Sequence, residues 1–87
     1  MAWKVEFEAR AEKQLSKLNK RDALRIVELL EDVTGLGDPR LRGHSLKGQL
    51  AGLWRYRVSD WRVVCQIEDH RLVVLVIKIG HRREAYD

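Results

Sequence analysis

Residues Leu53–Tyr86 read LWRYRVSDWRVVCQIEDHRLVVLVIKIGHRREAY and form the most strand-like part of the chain. Valine, isoleucine, tryptophan and tyrosine are dense here, and these residues favour strands. Two polar pairs, Ser59-Asp60 and Asp69-His70, interrupt the apolar runs and suit two-residue hairpin turns. The stretch therefore predicts three consecutive strands, over Leu53–Val58, Trp61–Glu68 and Arg71–Ile79.

Two-residue turns fix which residues of these strands lie opposite one another. In the first hairpin the predicted pairs are Val58 with Trp61, Arg57 with Arg62 and Arg55 with Val64. In the second they are Glu68 with Arg71 (an ion pair), Val64 with Leu75 and Arg62 with Ile77. One face is then apolar and forms the predicted core, consisting of Trp54, Tyr56, Val58, Val63, Cys65, Ile67, Leu72, Val74 and Val76.

The other face carries three arginines, Arg55, Arg57 and Arg62. Like charges directly across a strand pair destabilise it. A bound phosphate would relieve the repulsion, because guanidinium groups bind phosphate oxygens bidentately. The alternative is that the arginine side chains splay apart into solvent. The register thus predicts an anion site on this face.

An apolar strip lies beside the arginines on the same predicted face. It consists of Val64, Val73, Leu75 and Ile77. No segment of the sequence obviously covers it, and exposed apolar strips mark partner sites. We therefore predict a protein partner here, with partial cover by a loop or by the carboxyl-terminal tail as the alternative.

The amino-terminal part predicts one strand and two helices. Trp3–Phe7 alternates apolar and charged residues as a half-buried strand does. A helical pattern over Glu8–Leu18 follows, and Asn19 can cap a second helix that ends near Gly35. The fold class is therefore α+β: a single domain over residues 1–87, of order β-α-α-β-β-β, with a mainly antiparallel sheet and an αα-hairpin packed on one face.

Residues 35–52 contain five of the six glycines and the only proline. The segment has no clear periodicity, and its glycine spacing fits neither a phosphate-binding P-loop nor a dinucleotide fingerprint. It carries Arg40, Arg42, His44 and Lys47. We interpret it as an irregular basic surface loop in which Arg40, Arg42 and Lys47 contact an anionic substrate.

Composition narrows the classes of function. The 87 residues are 45% hydrophobic and 34% charged, with a formal net charge of +4, which favours a polyanionic partner or simply a soluble basic surface. A single cysteine, Cys65, excludes a disulfide framework, and the histidines lack metal-ligand spacing, so we expect no metal or cofactor. No apolar run approaches the ~20 residues of a spanning helix. The start of the chain is charged from Lys4, and we expect a cytoplasmic protein without a membrane partner.

Gly80 is predicted to end the last strand and is followed by HRREAY. This tail would bring His81, Arg82, Arg83 and Tyr86 to the rim of the sheet. A tyrosine there could stack on a nucleobase or transfer a proton. The alternative is a terminal aromatic side chain packed on the edge of the domain.

Residues 46–86, LKGQLAGLWRYRVSDWRVVCQIEDHRLVVLVIKIGHRREAY, resemble the carboxyl-terminal half of the RelE toxins of the bacterial RelE/ParE superfamily. The shared features are a strand with the pattern LWR.RV.D.R, a hydrophobic strand, and GHR followed by a terminal tyrosine. The preceding strand and helices also fit. The resemblance implies the toxin of a type II toxin–antitoxin pair, an endoribonuclease (mRNA interferase) that cleaves messenger RNA, in many members in the ribosomal A site, and so inhibits translation.

The resemblance also implies which residues act. The residues that match the family pattern are Arg55, Arg57, Arg62, Arg82 and Tyr86, and Arg83 would contact RNA. Because RNA supplies its own 2′-hydroxyl nucleophile, the implied cleavage is metal-independent and leaves a 2′,3′-cyclic phosphate. Arg62 and Arg82 would bind the phosphate, while Arg55 and Arg57 would stabilise the developing 2′-oxyanion. Arginine remains protonated, so His81 is kept as an alternative acid or base.

Two other functions remain open on the same fold. One is a ParE-like toxin that inhibits DNA gyrase by binding, and the other is a non-catalytic module that binds RNA or the ribosome. In the favoured interpretation, an acidic, amphipathic antitoxin would cover both the arginines and the apolar strip.

Overall fold

The helices and strands follow the predicted order, with one additional strand. A computed structural model describes residues 2–84. The elements are β1 (Lys4–Phe7), α1 (Ala9–Ser16), α2 (Lys20–Thr34), β2 (His44–Ser45), β3 (Trp54–Val58), β4 (Trp61–Glu68) and β5 (Val73–His81). Short 3₁₀ turns lie at Pro39–Leu41, Gly48–Leu50 and Arg82–Glu84.

The five strands form one sheet in the order β1-β5-β4-β3-β2. β1 is parallel to β5, and every other neighbouring pair is antiparallel. The two helices pack on one face of this sheet, α1 on β5 and β1, α2 on β1 and β3. The predicted α+β fold with its helical hairpin is thereby confirmed.

Local signals set the limits of α2. The side chain of Asn19 accepts a hydrogen bond from the Asp22 backbone N–H (2.9 Å), as the sequence predicts for an N-cap. Gly35 follows the last helical residue. The buried stripe of α2 (Ile26, Leu29, Leu30 and Val33) meets the inward residues of the sheet, Tyr56, Val58, Val63, Cys65, Val74, Val76 and Ile79. The core therefore lies between the helical hairpin and one face of the sheet.

The β3–β4 hairpin has the predicted register. Arg57 pairs with Arg62, and Val58 pairs with Trp61 across a two-residue turn. Ser59 enters that turn with φ +56°, in the left-handed region that two-residue hairpin turns require.

The predicted register of the second hairpin is wrong by two residues. Glu68 pairs with Val73, so residues 69–72 form a four-residue connection. Glu68 and Arg71 do form an ion pair (2.7 Å), but within this turn, and Arg71 also reaches Glu6 (3.0 Å). Leu72 takes a positive φ of 53°. These ion pairs favour the longer turn, which the Asp69-His70 pair alone did not indicate.

A bulge changes the facing of β5 near its end. Val64 pairs with Lys78 and Cys65 with Val76, so Ile77 is an extra residue on β5. The predicted pairs of Val64 with Leu75 and Arg62 with Ile77 are therefore wrong. The Ile79 backbone N–H donates to Gln14 Oε1 on α1 (2.7 Å). This contact secures the far end of β5 to the helices.

β5 also continues further than predicted. Gly80 does not end the strand, because it pairs with Arg62, and His81 pairs with Trp61. β4 begins directly after the short turn, so its first two residues, Trp61 and Arg62, offer partners for two further residues of β5. His81 consequently belongs to the sheet, and the tail begins only at Arg82.

Residues 35–52 are more ordered than predicted. His44 and Ser45 form β2, which pairs with Arg55 and Trp54 of β3. Aromatic side chains bind the carbonyl groups of this segment: Trp3 Nε1–H donates to Gly37 O (2.9 Å), Trp54 Nε1–H to Arg42 O (2.7 Å), and the Tyr56 hydroxyl to Pro39 O (2.6 Å). The segment is thus fastened to the sheet along its first half.

Gly43 lies where a side chain cannot be accommodated. Its φ is +84°, and a Cβ atom would come within 2.5 Å of the Arg55 carbonyl oxygen and 2.6 Å of Trp54 Nε1. The backbone of residue 43 therefore lies directly against β3. The absence of a side chain is what allows β2 to pair.

We predict that Gly43→Ala destabilises the protein strongly. Gly37→Ala is the matched control, because Gly37 has φ +85° with nothing within 4 Å of a Cβ atom. The left-handed backbone alone should cost about 1–2 kcal/mol in either variant. Gly43→Ala should lose roughly 1–3 kcal/mol more through overpacking. Urea unfolding of both variants measures the difference, and equal free energies of unfolding would contradict the close approach.

Candidate RNA-binding and catalytic face

The sheet face turned away from the helices concentrates basic side chains. Residues directly opposite each other in antiparallel strands lie on the same face. The register gives one row of His44, Arg55, Val64 and Lys78, and a second row of Arg57, Arg62 and Gly80. We call the surface formed by His44, Arg55, Arg57, Arg62 and Lys78 the cationic face.

Two arginines of the cationic face are enclosed. Arg55 and Arg62 each have an exposed fraction of only 8%, whereas Arg57 is exposed. Arg62 Nη1 donates to the backbone oxygens of Ser59 (3.3 Å) and Trp61 (3.1 Å), which holds its guanidinium group at the β3–β4 turn. Across the sheet from Arg62 stands Gly80, which presents no side chain.

The apolar strip is not exposed as predicted. Val64 and Val73 are each only 2% exposed, and Leu75 and Ile77 are half-buried. Val64 lies in the row between Arg55 and Lys78, whose long side chains can cover it with their methylene stems. Val73 lies similarly between Lys4 and Glu68. The expected open apolar surface at these two valines is therefore wrong.

The end of β5 brings another arginine to the β3–β4 turn. The Arg82 backbone N–H donates to Asp60 O (2.8 Å), and Arg82 Nε lies 3.5 Å from Asp60 Oδ1. The Arg82 side chain remains well exposed. Three predicted site residues, Arg57, Arg62 and Arg82, thus come together around one turn.

His81 is held at the same end of the sheet. Its ring makes an edge contact with the Trp61 indole, with centroids 5.3 Å apart and planes at 87°. Its Nδ1 accepts the backbone N–H of Arg83 (3.2 Å). Trp61 in turn donates to Asp22 Oδ2 on α2 (3.0 Å). One ring nitrogen of His81 is therefore used to hold the backbone that leads to the tail.

The remaining predicted residues divide into two groups. Tyr86 lies outside residues 2–84, so its role stays a prediction. Arg83 is exposed beside Arg82, and Arg42 and Lys47 are exposed on either side of β2. Their contacts with RNA also stay predictions.

Arg40 lies apart from the cationic face. Its guanidinium group donates to both carboxylate oxygens of Asp69 (2.9 and 2.7 Å), at the carboxyl end of β4. Arg62 lies near the opposite end of that strand, about 20 Å away at 3.3 Å per residue. The hydrogen-bonded Arg40 guanidinium lowers the pKa of the Asp69 carboxyl. Arg40 thus has a carboxylate partner far from Arg57 and Arg62.

Cys65 is placed for packing rather than for chemistry. Its side chain is fully buried in the core, and this burial raises the pKa of the thiol. A thiol with a raised pKa is a poor nucleophile. Among residues 2–84, no group of three or more His, Cys, Asp or Glu side chains is arranged to hold a metal ion. In the same range no helix is long and apolar enough to cross a membrane.

Two residues of the cationic face were missed by sequence reasoning. His44 was assigned to an irregular loop, because a two-residue strand leaves no periodic signal. Lys78 was missed because the bulge at Ile77 reverses the alternation of β5. Gly43, directly before His44, was the one signal in the sequence that could have indicated β2. A glycine beside a strand often marks a close approach of two backbones.

The comparisons with known proteins agree with this architecture. The family model described as "ParE toxin of type II toxin-antitoxin system, parDE" matches residues 5–86. The mRNA interferase toxin RelE of Escherichia coli is 33% identical over 90 residues, covering 98% of this chain and 88% of that protein. Toxin RelG of Mycobacterium tuberculosis is 29% identical over 90 residues, covering 99% of this chain and 98% of its own length.

Solved structures of RelE toxins are also similar to this chain. The toxin–antitoxin complex RelBE of Mycobacterium tuberculosis contains a chain with a TM-score of 0.82 and 28% identity, over 94% of this chain and 93% of that one. The isolated RelE toxin of Escherichia coli has a TM-score of 0.76 and 29% identity, over 92% of this chain and 84% of that one.

We predict that Arg40→Gln raises the pKa of the Asp69 carboxyl toward its ordinary value of 3.8. A carboxyl whose pKa is lowered by folding stabilises the protein above the unfolded-state pKa, and that stabilisation is lost as the pH falls through the folded-state pKa. Arg40→Gln should therefore remove the part of the stability that is lost below about pH 3.8.

NMR titration of the Asp69 carboxyl carbon measures this shift. Arg42→Gln removes an equal charge from the same segment and should leave the titration of Asp69 unchanged. An unaltered Asp69 pKa in Arg40→Gln would show that the pair does not form in solution.

Proposed function

Because this chain belongs to the RelE-type toxins of the RelE/ParE superfamily, we propose that it is the toxin of a type II toxin–antitoxin pair and that it cleaves messenger RNA. Relatives that carry the name mRNA interferase support this activity. The observation that carries it is the direct pairing of Arg57 with Arg62 on the cationic face, beside Arg55.

A phosphodiester is the ligand that this arrangement fits. Two guanidinium groups on directly opposed positions repel each other, and a phosphate placed between them converts that repulsion into charge-assisted hydrogen bonds. Arg82 approaches the same turn through Asp60. An RNA strand laid across the cationic face would therefore present its scissile phosphate to Arg57, Arg62 and Arg82.

The RNA supplies the nucleophile. The 2′-oxygen attacks the adjacent phosphorus, the bond from phosphorus to the 5′-oxygen breaks, and the products are a 2′,3′-cyclic phosphate and a 5′-hydroxyl. Arg62 and Arg82 stabilise the charge on the phosphorane, and Arg55 and Arg57 favour the developing 2′-oxyanion. Tyr86 aligns the base or transfers a proton. This mechanism needs no metal ion.

The ribosome is the proposed setting of the reaction. The family resemblance points to messenger RNA bound in the A site, where the ribosome fixes the strand and the toxin supplies the charges. Cleavage there stops translation. The proposed location of the toxin is therefore the cytoplasm. Arg42, Lys47 and Arg83, which are exposed, would add phosphate contacts around the site.

An acidic antitoxin is the proposed protein partner. Solved relatives include complexes of RelE toxins with RelB antitoxins. A segment rich in carboxylates would neutralise the cationic face and exclude RNA from it. Leu75 and Ile77 are half-buried and could contact such a segment, whereas Val64 and Val73 offer almost no surface.

One observation favours a second candidate function. The description of the matching family model names the ParE toxin. Inhibition of DNA gyrase by binding is therefore the alternative to RNA cleavage. Arg55 and Arg62 are enclosed, and Arg62 lies directly opposite Arg57. This arrangement favours chemistry at a phosphate over simple protein binding. The two functions give different results in a cleavage assay.

We predict that the purified protein cuts messenger RNA on translating ribosomes, as mapped by primer extension. Arg82→Ala should lower the cleavage rate by about 10²–10³-fold, the usual effect of losing one charge-stabilising group. Tyr86→Phe should also lower the rate. Arg25→Ala is the matched control, because it removes an exposed charge from α2 and should cleave like the wild type.

Absence of cleavage together with a trapped gyrase complex would establish the ParE-like function instead. Absence of cleavage with tight ribosome binding would indicate a non-catalytic module. Full activity in both Arg82→Ala and Tyr86→Phe would remove these residues from the site while leaving the activity class intact.

A further inference from the structure

His44 lies on the cationic face but has no role in the cleavage mechanism proposed above. Its β2 position pairs with Arg55 of β3, so the imidazole is on the same side of the sheet as the arginines. His44 is exposed, on the edge strand of the sheet. From the strand spacing, its Cα lies about 12 Å from that of Arg62, two strands away and two residues along. An imidazole at that position can approach an RNA strand whose phosphate is bound by the guanidinium groups near the β3–β4 turn.

The backbone around His44 is held on both sides. Gly43 lies against the carbonyl oxygen of Arg55. A Cβ atom on residue 43 would be only 2.5 Å from that oxygen. On the other side, the Leu46 N–H donates to Leu53 O (3.0 Å), and the Leu46 side chain is buried. A functional side chain needs this kind of rigid support to stay in register with its neighbours. A solvent-exposed histidine in a mobile loop would have none of these restraints.

The arginines of the cationic face cannot act as proton acceptors. A guanidinium group stays protonated and cannot take the proton of a 2′-hydroxyl. His81 already uses Nδ1 to accept the Arg83 N–H. Imidazole changes its protonation between about pH 5 and 8 and is the most common general base in enzymes.

We propose that His44 is the general base of RNA cleavage by this chain. The inference rests on the proposed endoribonuclease function and names the proton acceptor for it. A ring nitrogen of neutral His44 takes the 2′-hydroxyl proton as the bond from the 2′-oxygen to phosphorus forms. The bond from phosphorus to the 5′-oxygen breaks, the 5′-oxygen takes a proton from water, and His44 returns its proton to solvent.

The charged groups around His44 suit this role. Arg55 lies directly opposite on β3, the only strand that pairs with β2 within residues 2–84, and Arg57 follows two residues along β3. Arg62 on β4 and Lys78 on β5 complete the same face, and Arg42 and Lys47 flank β2 in sequence. This cationic surrounding would stabilise the 2′-oxyanion as its proton moves to the imidazole.

The test uses single-turnover cleavage of messenger RNA on programmed ribosomes, with the full chain in excess. His44→Gln keeps a polar side chain that cannot titrate, and we expect its cleavage rate constant to fall by about 100-fold or more. The wild-type rate should rise with pH through the imidazole range, and this rise should be lost in His44→Gln. His70→Gln is the matched control, since His70 is exposed in the four-residue turn at the other end of β4.

Two further measurements separate proton transfer from binding or folding. Affinity for ribosomes carrying a messenger with a 2′-deoxy scissile nucleotide should be unchanged in His44→Gln. Added imidazole should restore cleavage to His44→Ala and should not accelerate Arg82→Ala.

Each contrary result has a distinct meaning. If the wild type cleaves and His44→Gln keeps both its rate and its pH dependence, the assignment of His44 is overturned and the endoribonuclease function stands. Loss of the pH-dependent rise in His81→Gln instead would transfer the role to His81. Absence of cleavage by the wild type would overturn the function and the assignment together.

Discussion

The two-residue turn at Ser59 and Asp60 is the constraint on which both the core and the candidate site depend. It places Arg57 directly opposite Arg62 and thereby sends alternate side chains of β3 and β4 to opposite faces. Tyr56, Val63 and Cys65 face the helices, while the arginines lie on the opposite face of the sheet. A slip of one residue would exchange the two sets and bury the arginines under the helices. The hydrophobic cost of that slip is what keeps the arginines in position.

The other parts of the chain hold this hairpin from its flanks. Trp61 donates to Asp22 and fastens the start of β4 to α2, while Gln14 of α1 accepts the Ile79 N–H beside the bulge. On the opposite edge, Trp54 and Tyr56 bind the carbonyl groups of Arg42 and Pro39. Tyr56, Trp54 and Trp61 therefore serve the core and also fix the edges of the cationic face. Burial raises the pKa of the Tyr56 hydroxyl, which keeps it protonated as a hydrogen-bond donor.

The sequence predicted the first hairpin, the helical hairpin and the arginine side of the sheet, because alternation and capping are local properties. It failed where the outcome depends on contacts between distant segments. The four-residue turn is stabilised by Glu6, which binds Arg71 from β1, and β2 exists because Gly43 packs against β3. The reversed facing of Lys78 follows from a bulge secured by Gln14. The sequence also wrongly predicted that Val64 and Val73 are exposed. The long side chains that flank them belong to neighbouring strands, and the pattern of a single strand does not reveal them.

The central claim is that the scissile phosphate binds on the cationic face, away from the helices. A structure of the toxin on a ribosome whose messenger carries a 2′-deoxy scissile nucleotide tests it most directly. We expect that phosphate to lie within hydrogen-bonding distance, about 3 Å, of the guanidinium groups at the β3–β4 turn. A messenger strand that instead contacts α2, or passes the far end of the sheet at Arg40 and Asp69, would contradict the claim.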